Sequence, residues 1–300
     1  MPIHPYATLQ YANTLAHVGR PLFVPEWQGH VIVRDWKHGT SDALGTYPIT
    51  VIAPGSDVPA GVERLRAAGL VSVALVLDGF ATPDNGELRR AFSVVRPFKT
   101  HYLVDATRSA YQPTRHHRYE IDRAEKQGVA VKSVALADIL DDWTALYSEL
   151  VARHGITGLQ QFPRESFATL ARCEGLSAVA AFLNDEIVSC HLWFQFGEFV
   201  WSHLAATNAR GYQSGAAYAV YDHSIRLYAH HLVNLGGAAG TYDTGNDGLA
   251  RFKAGFSNRQ EASYLCGAVL DQSTYDRLCA ERGDYAGTYF PAYRATAISG

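Results

Sequence analysis

The chain has 300 residues, which is enough for one large domain or two of ordinary size. Hydrophobic residues make up 47% of it and charged residues 18%, so the sequence can bury a core and intrinsic disorder is excluded. The formal net charge of −3 gives no overall attraction to a polyanion, which argues against a DNA-binding protein and requires any RNA contact to be local.

Cysteine spacing and the apolar runs indicate the compartment. Four cysteines, at positions 173, 190, 266 and 279, have no CxxC spacing and predict free thiols in a reducing compartment. The first fifteen residues lack a basic segment followed by an apolar one, so no signal peptide is expected. The longest apolar runs are too short to span a bilayer. These features predict a soluble, cytoplasmic protein without membrane insertion.

The first 112 residues have the pattern of an α/β lobe. A helix is predicted over 6–18, followed by strands at 22–24, 30–36 and 46–52 and a helix at 61–68. The continuous apolar run LVSVALVL at 70–77 predicts a strand buried on both faces. A helix at 85–95 and a strand at 100–104 complete this N-terminal lobe.

Residues 113–128 predict a connecting helix with many basic side chains. The segment PTRHHRYEIDRAEKQ begins with Pro113, and Gly128 follows its end. Its charged side chains either pair with one another along the helix or form a local anion-binding patch. The histidine pairs at 116–117 and 230–231 lack neighbouring carboxylates or thiolates, so the sequence predicts no metal site.

The remaining residues, 129–300, predict a second α/β lobe. A strand at 129–134 precedes helices at 138–153, with Asp138 as N-cap, and at 165–173. Strands at 177–183, 187–196 and 198–205 are joined by tight turns, as in an antiparallel meander. A long helix at 214–230, a strand at 232–235, a helix at 248–255, a strand at 261–270 and a helix at 274–282 follow. The sequence thus predicts two α/β lobes with mixed sheets.

A glycine-rich stretch near the end of the second lobe, LGGAAGTYDTGNDGLARFKAGF at 235–256, is the strongest local signal. Glycines such as Gly236 and Gly237 allow the backbone to approach another group closely. Lys253 lies between Phe252 and Phe256, where partial burial favours a fixed hydrogen-bond donor over a solvated charge. Upstream, the glycines before the long helix predict backbone amides suited to a phosphate or pyrophosphate.

Two of these segments carry a family resemblance. The order of meander, G-x-x-x-G-A-A at 211–217, long helix and strand resembles the acyl-donor half of the GNAT acyltransferase fold. The segment GLARFKAGF at 248–256 is similar to the G-h-x-x-F-K-x-x-F signature of FemAB-type transferases. The helix that begins at Pro113 resembles the Arg-rich helix before the second lobe of that group. The resemblance covers nearly the whole chain and implies tandem GNAT-like lobes in a FemAB-type architecture.

The resemblance also implies an activity. It predicts an acyltransferase that moves an acyl or aminoacyl group to the amine of a small molecule or peptide. The co-substrate is acyl-CoA or aminoacyl-tRNA, no cofactor is tightly bound, and tRNA is a partner only in the second case. The alternative is a catalytically degenerate GNAT-like module that binds a ligand. A monomer is the simplest expectation, since two lobes can bury both sheets within one chain.

Most site residues lie in the segment at 211–217 and in the glycine-rich stretch at 235–256. Lys99 and Tyr102 belong to the first lobe, where they fit either an acceptor contact or the entrance to a strand. The resemblance assigns donor binding to six residues, namely Tyr212, Gln213, Ser214, Gly215, Gly236 and Gly237. It places Phe252 and Lys253 at the donor end, where Lys253 stabilises the oxyanion. Predicted substrate contacts are Tyr242, Asp243, Asn246, Lys99 and Tyr102.

The general base is left open by the sequence. His203 is a candidate because an ordinary imidazole has a pKa near 6.5, although a strand histidine among apolar residues also fits a core position. Asp243 fits either a substrate contact or an Asx turn. Transfer without any protein base is a third possibility that the residues allow.

Overall fold

The computed structural model describes residues 3–79, 85–238 and 248–295. The chain forms two compact units, called unit 1 (Met1–Phe98 and Ser263–Gly300) and unit 2 (Lys99–Ala262). This division differs from the predicted lobe boundaries at 112 and 129. The reason is that the last strand of the chain pairs with a strand of the N-terminal part.

The described chain contains both helices and strands. The helices are α1 (Leu9–Ala12), α2 (Val58–Ala67), α3 (Asn85–Ala91), α4 (Arg115–Lys126), α5 (Leu140–His154), α6 (Arg164–Leu170), α7 (Ala209–Ser214), α8 (Ala216–Leu227), α9 (Gly248–Ala254) and α10 (Gln272–Arg282). The strands are β1 (Arg20–Val24), β2 (Gly29–Asp35), β3 (Ser41–Gly45), β4 (Ser72–Leu77), β5 (Val94–Val104), β6 (Ala130–Val134), β7 (Leu176–Leu183), β8 (Glu186–Phe196), β9 (Phe199–Thr207), β10 (Leu232–Asn234) and β11 (Arg259–Val269).

Unit 1 is built on the strand order β1-β2-β3-β4-β11. The pairs β1–β2, β2–β3 and β4–β11 are antiparallel, and β3–β4 is parallel. Strand β4 has the predicted apolar sequence, and Val73, Leu75 and Leu77 are fully buried. Cys266 and Ala268 of β11 join the same core. Burial of these apolar side chains explains why the last strand belongs to the N-terminal unit.

The strand predicted at 46–52 is wrong, because the third strand of unit 1 lies at 41–45 instead. Residues 46–52 form a turn in which the Thr46 hydroxyl donates a hydrogen bond to the Ile49 carbonyl at 3.0 Å. Pro48 has no backbone N–H and cannot contribute to a strand ladder. Ile49 and Ile52 are still buried, so the apolar pattern reflects burial without a strand.

Unit 2 has the strand order β5-β10-β9-β8-β7-β6. Strands β6 to β9 are antiparallel, which confirms the predicted meander. Strand β10 lies parallel to β9 and antiparallel to β5. The predicted helix at 214–230 is present as α8, and the short helix α7, which the sequence did not predict, precedes it. Gly215, with φ +73°, separates the two helices. A Cβ atom at this glycine would lie 3.0 Å from the Glu120 carbonyl of α4.

The pairing of β9 with β10 is short and ends directly before the glycine turn at 236–237. Their pairing extends only from Leu232 opposite Phe199 to Asn234 opposite Trp201. Directly afterwards β9 has an irregularity, because Leu192 pairs with Leu204 whereas Trp193 pairs with Ser202. A bulge of this kind increases the local twist of a strand and often occurs next to functional sites. The predicted α/β class with mixed sheets is confirmed.

Among the described residues, no helix is long and apolar enough to cross a membrane.

Candidate active site

Helix α9 holds Lys253 in a buried position. Phe252 of this helix and Phe256, which lies just after it, pack against Tyr221 of α8, with ring centroids 4.8 and 5.6 Å away. This packing fixes the rotation of α9 and leaves the Lys253 side chain only 7% exposed. The Lys253 ammonium donates a hydrogen bond to the Gly237 carbonyl at 2.6 Å. The lysine is thus a fixed donor, as its apolar neighbours predicted.

Helix α4 fixes α9 through a buried histidine. The Phe252 carbonyl can only accept, so His117 Nε2, 2.8 Å away, carries the proton and donates it. His117 Nδ1 then accepts from the Thr114 hydroxyl at 2.8 Å. Burial lowers the pKa of His117, in agreement with a neutral ring. The ring lies over Gly255, where a Cβ atom would approach His117 Cε1 to 2.1 Å.

Three side chains converge on the turn formed by Gly236 and Gly237. Lys253 reaches the Gly237 carbonyl, and the Lys99 ammonium donates to the next carbonyl, that of Ala238, at 2.9 Å. A Cβ atom on Gly237 would lie 3.1 Å from Lys99 Cβ and 3.3 Å from His101 Cδ2. Gly236 has φ +76°, and its Cβ position is 3.3 Å from Lys253 Nζ. Both glycines therefore permit this close approach, which is the role that the sequence predicted for them.

Two residues that the sequence analysis did not assign to the site complete this cluster. The Asn234 side chain is buried and accepts a hydrogen bond from the Gly236 amide at 2.8 Å. It also contacts His101 Nδ1 at 3.0 Å. Burial and the positive charges of Lys253 and Lys99 lower the pKa of His101 to about 3. The imidazole is therefore neutral at physiological pH.

The antiparallel pairing of β10 with β5 explains why these residues meet. Asn234 lies opposite Leu103, and the Gly236 carbonyl accepts a hydrogen bond from the Tyr102 amide at 3.2 Å. Tyr102 also accepts a hydrogen bond from the Leu235 amide at 2.8 Å, and its side chain is buried. Tyr102, a predicted substrate contact, thus provides backbone that joins the two strands.

The structure gives no support to His203 as a base. Its ring is 5% exposed and packs edge-on against Phe194 at 5.2 Å. Burial lowers the pKa of His203 to about 3, which disfavours the protonated form that a general base must adopt. His203 fits the core position that the sequence allowed as an alternative.

The predicted donor-binding residues fall into two separate groups. Gly236 and Gly237 are part of the cluster around Lys253. Tyr212 and Gln213 are exposed on α7, and the guanidinium of Arg153 lies over the Tyr212 ring at 4.8 Å. The Ser214 hydroxyl donates to the Gly211 carbonyl at 3.2 Å, and Gly215 packs against α4. Tyr242, Asp243 and Asn246 lie outside the described residues.

Two cavities of unit 2 lie apart from the cluster. One, of about 290 Å³, is lined by residues that include Val104, Tyr111, Phe256 and Asn258. The other, of about 520 Å³, lies between α4 and α8. Neither is lined by Lys253 or His101. Within the described ranges, no group of three or more histidine, cysteine or acidic side chains could hold a metal ion.

The cluster has the chemistry needed to stabilise a negative charge. Two ammonium groups and a neutral imidazole surround one glycine turn, and the Lys253 and His101 side chains are largely shielded from water. An ammonium group has three donor hydrogens, so Lys253 can serve the Gly237 carbonyl and a substrate oxygen together. Fixed donors of this kind stabilise an oxyanion that develops on a carbonyl.

The chain matches a known family in part of its sequence and resembles solved structures over most of its length. Residues 114–254 match the family described as acetyltransferase (GNAT) domain. The fold resembles the C-terminal domain of a lysylphosphatidylglycerol synthetase from Agrobacterium fabrum, with a TM-score of 0.63 and 15% identity over 93% of this chain and 94% of that one. It also resembles FemX, with a TM-score of 0.63 and 11% identity over 91% and 95% of the two chains.

A third similar structure is L-PGS from Bacillus licheniformis, with a TM-score of 0.61 and 12% identity over 91% and 95% of the two chains. No curated protein matches this sequence. At these identities the solved structures establish the fold, and the family match is limited to residues 114–254.

Proposed function

We propose that the protein transfers an acyl or aminoacyl group to an amine of a small molecule or peptide, because residues 114–254 match the acetyltransferase (GNAT) domain family and the fold resembles that of FemX. The single observation that carries the proposal is the position of Lys253. Its ammonium is buried, held by α9 and directed at the Gly236–Gly237 turn beside a second cation and a neutral histidine. Lys253 donates a hydrogen bond to the carbonyl oxygen of the donor.

The proposed step is a nucleophilic substitution at a thioester or ester. The amine nitrogen attacks the carbonyl carbon, the carbonyl oxygen takes up negative charge, and the C–S or C–O bond then breaks. The proton of the amine goes to the leaving thiolate or alkoxide. His101 and His203, each with a pKa near 3, do not accept it at neutral pH. The protein therefore contributes positioning and charge stabilisation.

Two donor classes fit the site. A GNAT domain generally favours acyl-CoA, whereas the similarity to a lysylphosphatidylglycerol synthetase domain favours an aminoacyl donor. The surface of α4 carries charges that could bind the phosphates of either donor. Arg115 and Arg118 are exposed and form no ion pair with any residue that the structure describes, whereas Arg123 pairs with Glu120 at 2.6 Å. These two charges support the predicted local anion-binding patch, which suits either a CoA phosphate or a tRNA backbone.

The test combines donor binding with transfer. Thermal unfolding of the full chain is measured with acetyl-CoA, longer acyl-CoAs and mixed aminoacyl-tRNA, and label transfer from each donor to a mixture of primary amines is followed. A donor at a hundred times its Kd stabilises the fold by about 2.7 kcal/mol, which is a measurable shift. An acyl-CoA shift with modest salt dependence identifies one donor, and a tRNA shift that weakens steeply with salt identifies the other.

Lys253→Met tests the site itself. We expect this variant to bind the donor and to lose transfer by about 10²–10³-fold, as for removal of one oxyanion donor. Lys132→Met, on the exposed surface of β6, is the matched control and is expected to retain transfer. The proposal is overturned if neither donor class binds, which would leave a ligand-binding module, or if Lys253→Met transfers at the normal rate.

A further inference from the structure

We propose that His101 is a second substrate-contacting donor, whose Nε2–H binds the carbonyl oxygen of the acyl donor, and that Asn234 sets the tautomer that makes this possible. The identity of the bound oxygen rests on the proposed function. The tautomer itself rests on hydrogen-bond geometry alone and can be tested separately.

The tautomer of His101 follows from a series of hydrogen bonds that begins at the backbone amide of Gly236. The Gly236 N–H can only donate, so the Asn234 atom 2.8 Å away is the carbonyl Oδ1. The other end of that amide, Nδ2, therefore faces His101 Nδ1 at 3.0 Å. Since Nδ2 can only donate, Nδ1 must accept and carries no proton. The single proton of the neutral imidazole then resides on Nε2.

Protonation of the ring would disrupt this series of hydrogen bonds. An imidazolium has N–H at both nitrogens, so two donors would face each other across the Asn234–His101 contact. The charged groups that act on the ring are Lys99 on its own strand and Lys253 on α9, and both are positive. Together with burial, they oppose the imidazolium. His101 is thus held as a neutral donor. Its one ring lone pair, on Nδ1, is occupied by the Asn234 hydrogen bond and is not available to act as a general base.

The imidazole lies at the same turn as Lys253. Its Cδ2 atom, which is bonded to Nε2, is 3.3 Å from the Cβ position of Gly237, and the Gly237 carbonyl accepts the hydrogen bond of Lys253. Nε2 makes no hydrogen bond with any residue in the described part of the chain. A substrate oxygen beside this turn can therefore accept from Lys253 and His101 together. No covalent bond to His101 forms, and the proton stays on Nε2 throughout.

The first experiment observes the tautomer directly. Nitrogen–proton NMR spectra of histidine-labelled full-length protein are recorded from pH 7.5 to 5, and the His101 signals are assigned by their loss in His101→Asn. We expect protonated Nε2 and bare Nδ1 across this range. In Asn234→Asp, a carboxylate oxygen faces the ring, so Nδ1 becomes protonated and the pKa of His101 rises. A wild-type ring with its proton on Nδ1, or a charged ring at pH 7, overturns the proposal.

The second experiment tests the role in transfer. His101→Asn keeps an acceptor for Asn234 but has no donor at the Nε2 position, so we expect kcat to fall about 10²-fold with unchanged donor affinity. Asn234→Asp provides a signature that a structural role would not produce. Its neutral ring lacks the Nε2–H and its imidazolium regains it, so transfer rises as the pH falls, whereas wild-type transfer does not.

The outcomes separate the two proposals. If the wild-type protein transfers nothing, the proposed function fails, while the NMR experiment still decides the tautomer. If wild-type transfer is robust and His101→Asn retains it within about twofold, the inference on His101 fails and the proposed function stands. A parallel loss of thermal stability and donor binding in His101→Asn would assign the residue to the fold alone.

Discussion

Gly237 is the residue on which the geometry of the cluster depends most closely. A methyl group there would lie 3.1 Å from Lys99 Cβ and 3.3 Å from His101 Cδ2, both tighter than ordinary van der Waals contact. We therefore expect Gly237→Ala to displace these side chains and to lower transfer at least tenfold, with a smaller effect on stability. Transfer kinetics and urea unfolding check this. Gly248→Ala is the control, because nothing described lies within 4 Å of its Cβ position.

Asp42 is a buried charged residue on which the stability of unit 1 depends. It is 1% exposed and pairs with Arg34 at 3.1 Å and with Arg294, and it accepts a hydrogen bond from the Tyr293 hydroxyl at 2.9 Å. Asp42→Asn leaves two arginines without their counter-ion, which costs about 3 kcal/mol of unfolding free energy. Urea unfolding measures it. The exposed neighbour Asp35→Asn should change stability by less than about 0.5 kcal/mol, and an equal loss in both variants would contradict the prediction.

At the scale of elements, the contact between α4 and α9 positions Lys253. Thr114 and Gly255 also form a backbone hydrogen bond at 2.9 Å, directly beside the His117 ring. In Gly255→Ala the new Cβ atom would approach His117 Cε1 to 2.1 Å, so either the ring or α9 must move. Overpacking of this kind costs about 1–3 kcal/mol. We expect that loss in urea unfolding, together with reduced transfer.

The single variant His117→Phe, with Gly255 unchanged, distinguishes the effect of steric overpacking from the effect of the His117 hydrogen bonds. It keeps a ring above Gly255 but removes the hydrogen bonds to the Phe252 carbonyl and the Thr114 hydroxyl. If these bonds hold α9 in place, transfer falls more than stability does. Full transfer in both variants would show that α9 needs no support from α4.

Local pattern predicts most elements of this chain and fails where an element depends on a distant contact. The apolar run at 70–77 and the meander strands are read correctly because burial dictates their composition. The strand at 41–45 is missed because its sequence includes Ser41 and Asp42, and Asp42 finds its partners 252 residues away at Arg294. The break between α7 and α8 at Gly215 likewise involves a distant contact, because α4 packs closely against this glycine.

The site shows the same limit. Lys253 and its glycines are visible in sequence because they lie within the single stretch at 235–256. His101 and Asn234 lie 133 residues apart, and only the antiparallel pairing of β5 with β10 brings them together. The segment around His101 does mix charged and aromatic residues at the start of the predicted strand, which is the one signal that points to it. A histidine near two lysines gives no hint of its tautomer until the Asn234 amide is placed.

For the whole molecule, the buried neutral histidines predict a strong dependence of stability on pH. Burial lowers the pKa of His4 to about 4 and those of His101 and His203 to about 3. In the unfolded chain each titrates near 6.5, so below that pH the unfolded state binds protons that the folded state does not. Stability is therefore full above pH 6.5 and is lost progressively as the pH falls toward 3 to 4. At pH 5 each histidine costs about 2 kcal/mol.

That loss is large beside the 5–15 kcal/mol by which domains are usually stable. The free energy of unfolding, measured with urea at pH 7.5, 6 and 5, should thus decline steeply as the pH falls. His203→Leu should reduce the slope of this decline by the contribution of one histidine. Substitution of the exposed His230 by Gln is the surface control and should leave the slope near that of the wild type. Wild-type stability that stays level between pH 7.5 and 5 would mean that these rings accept protons in the folded state. The neutral form of His101, on which its role as a donor depends, would then be lost as well.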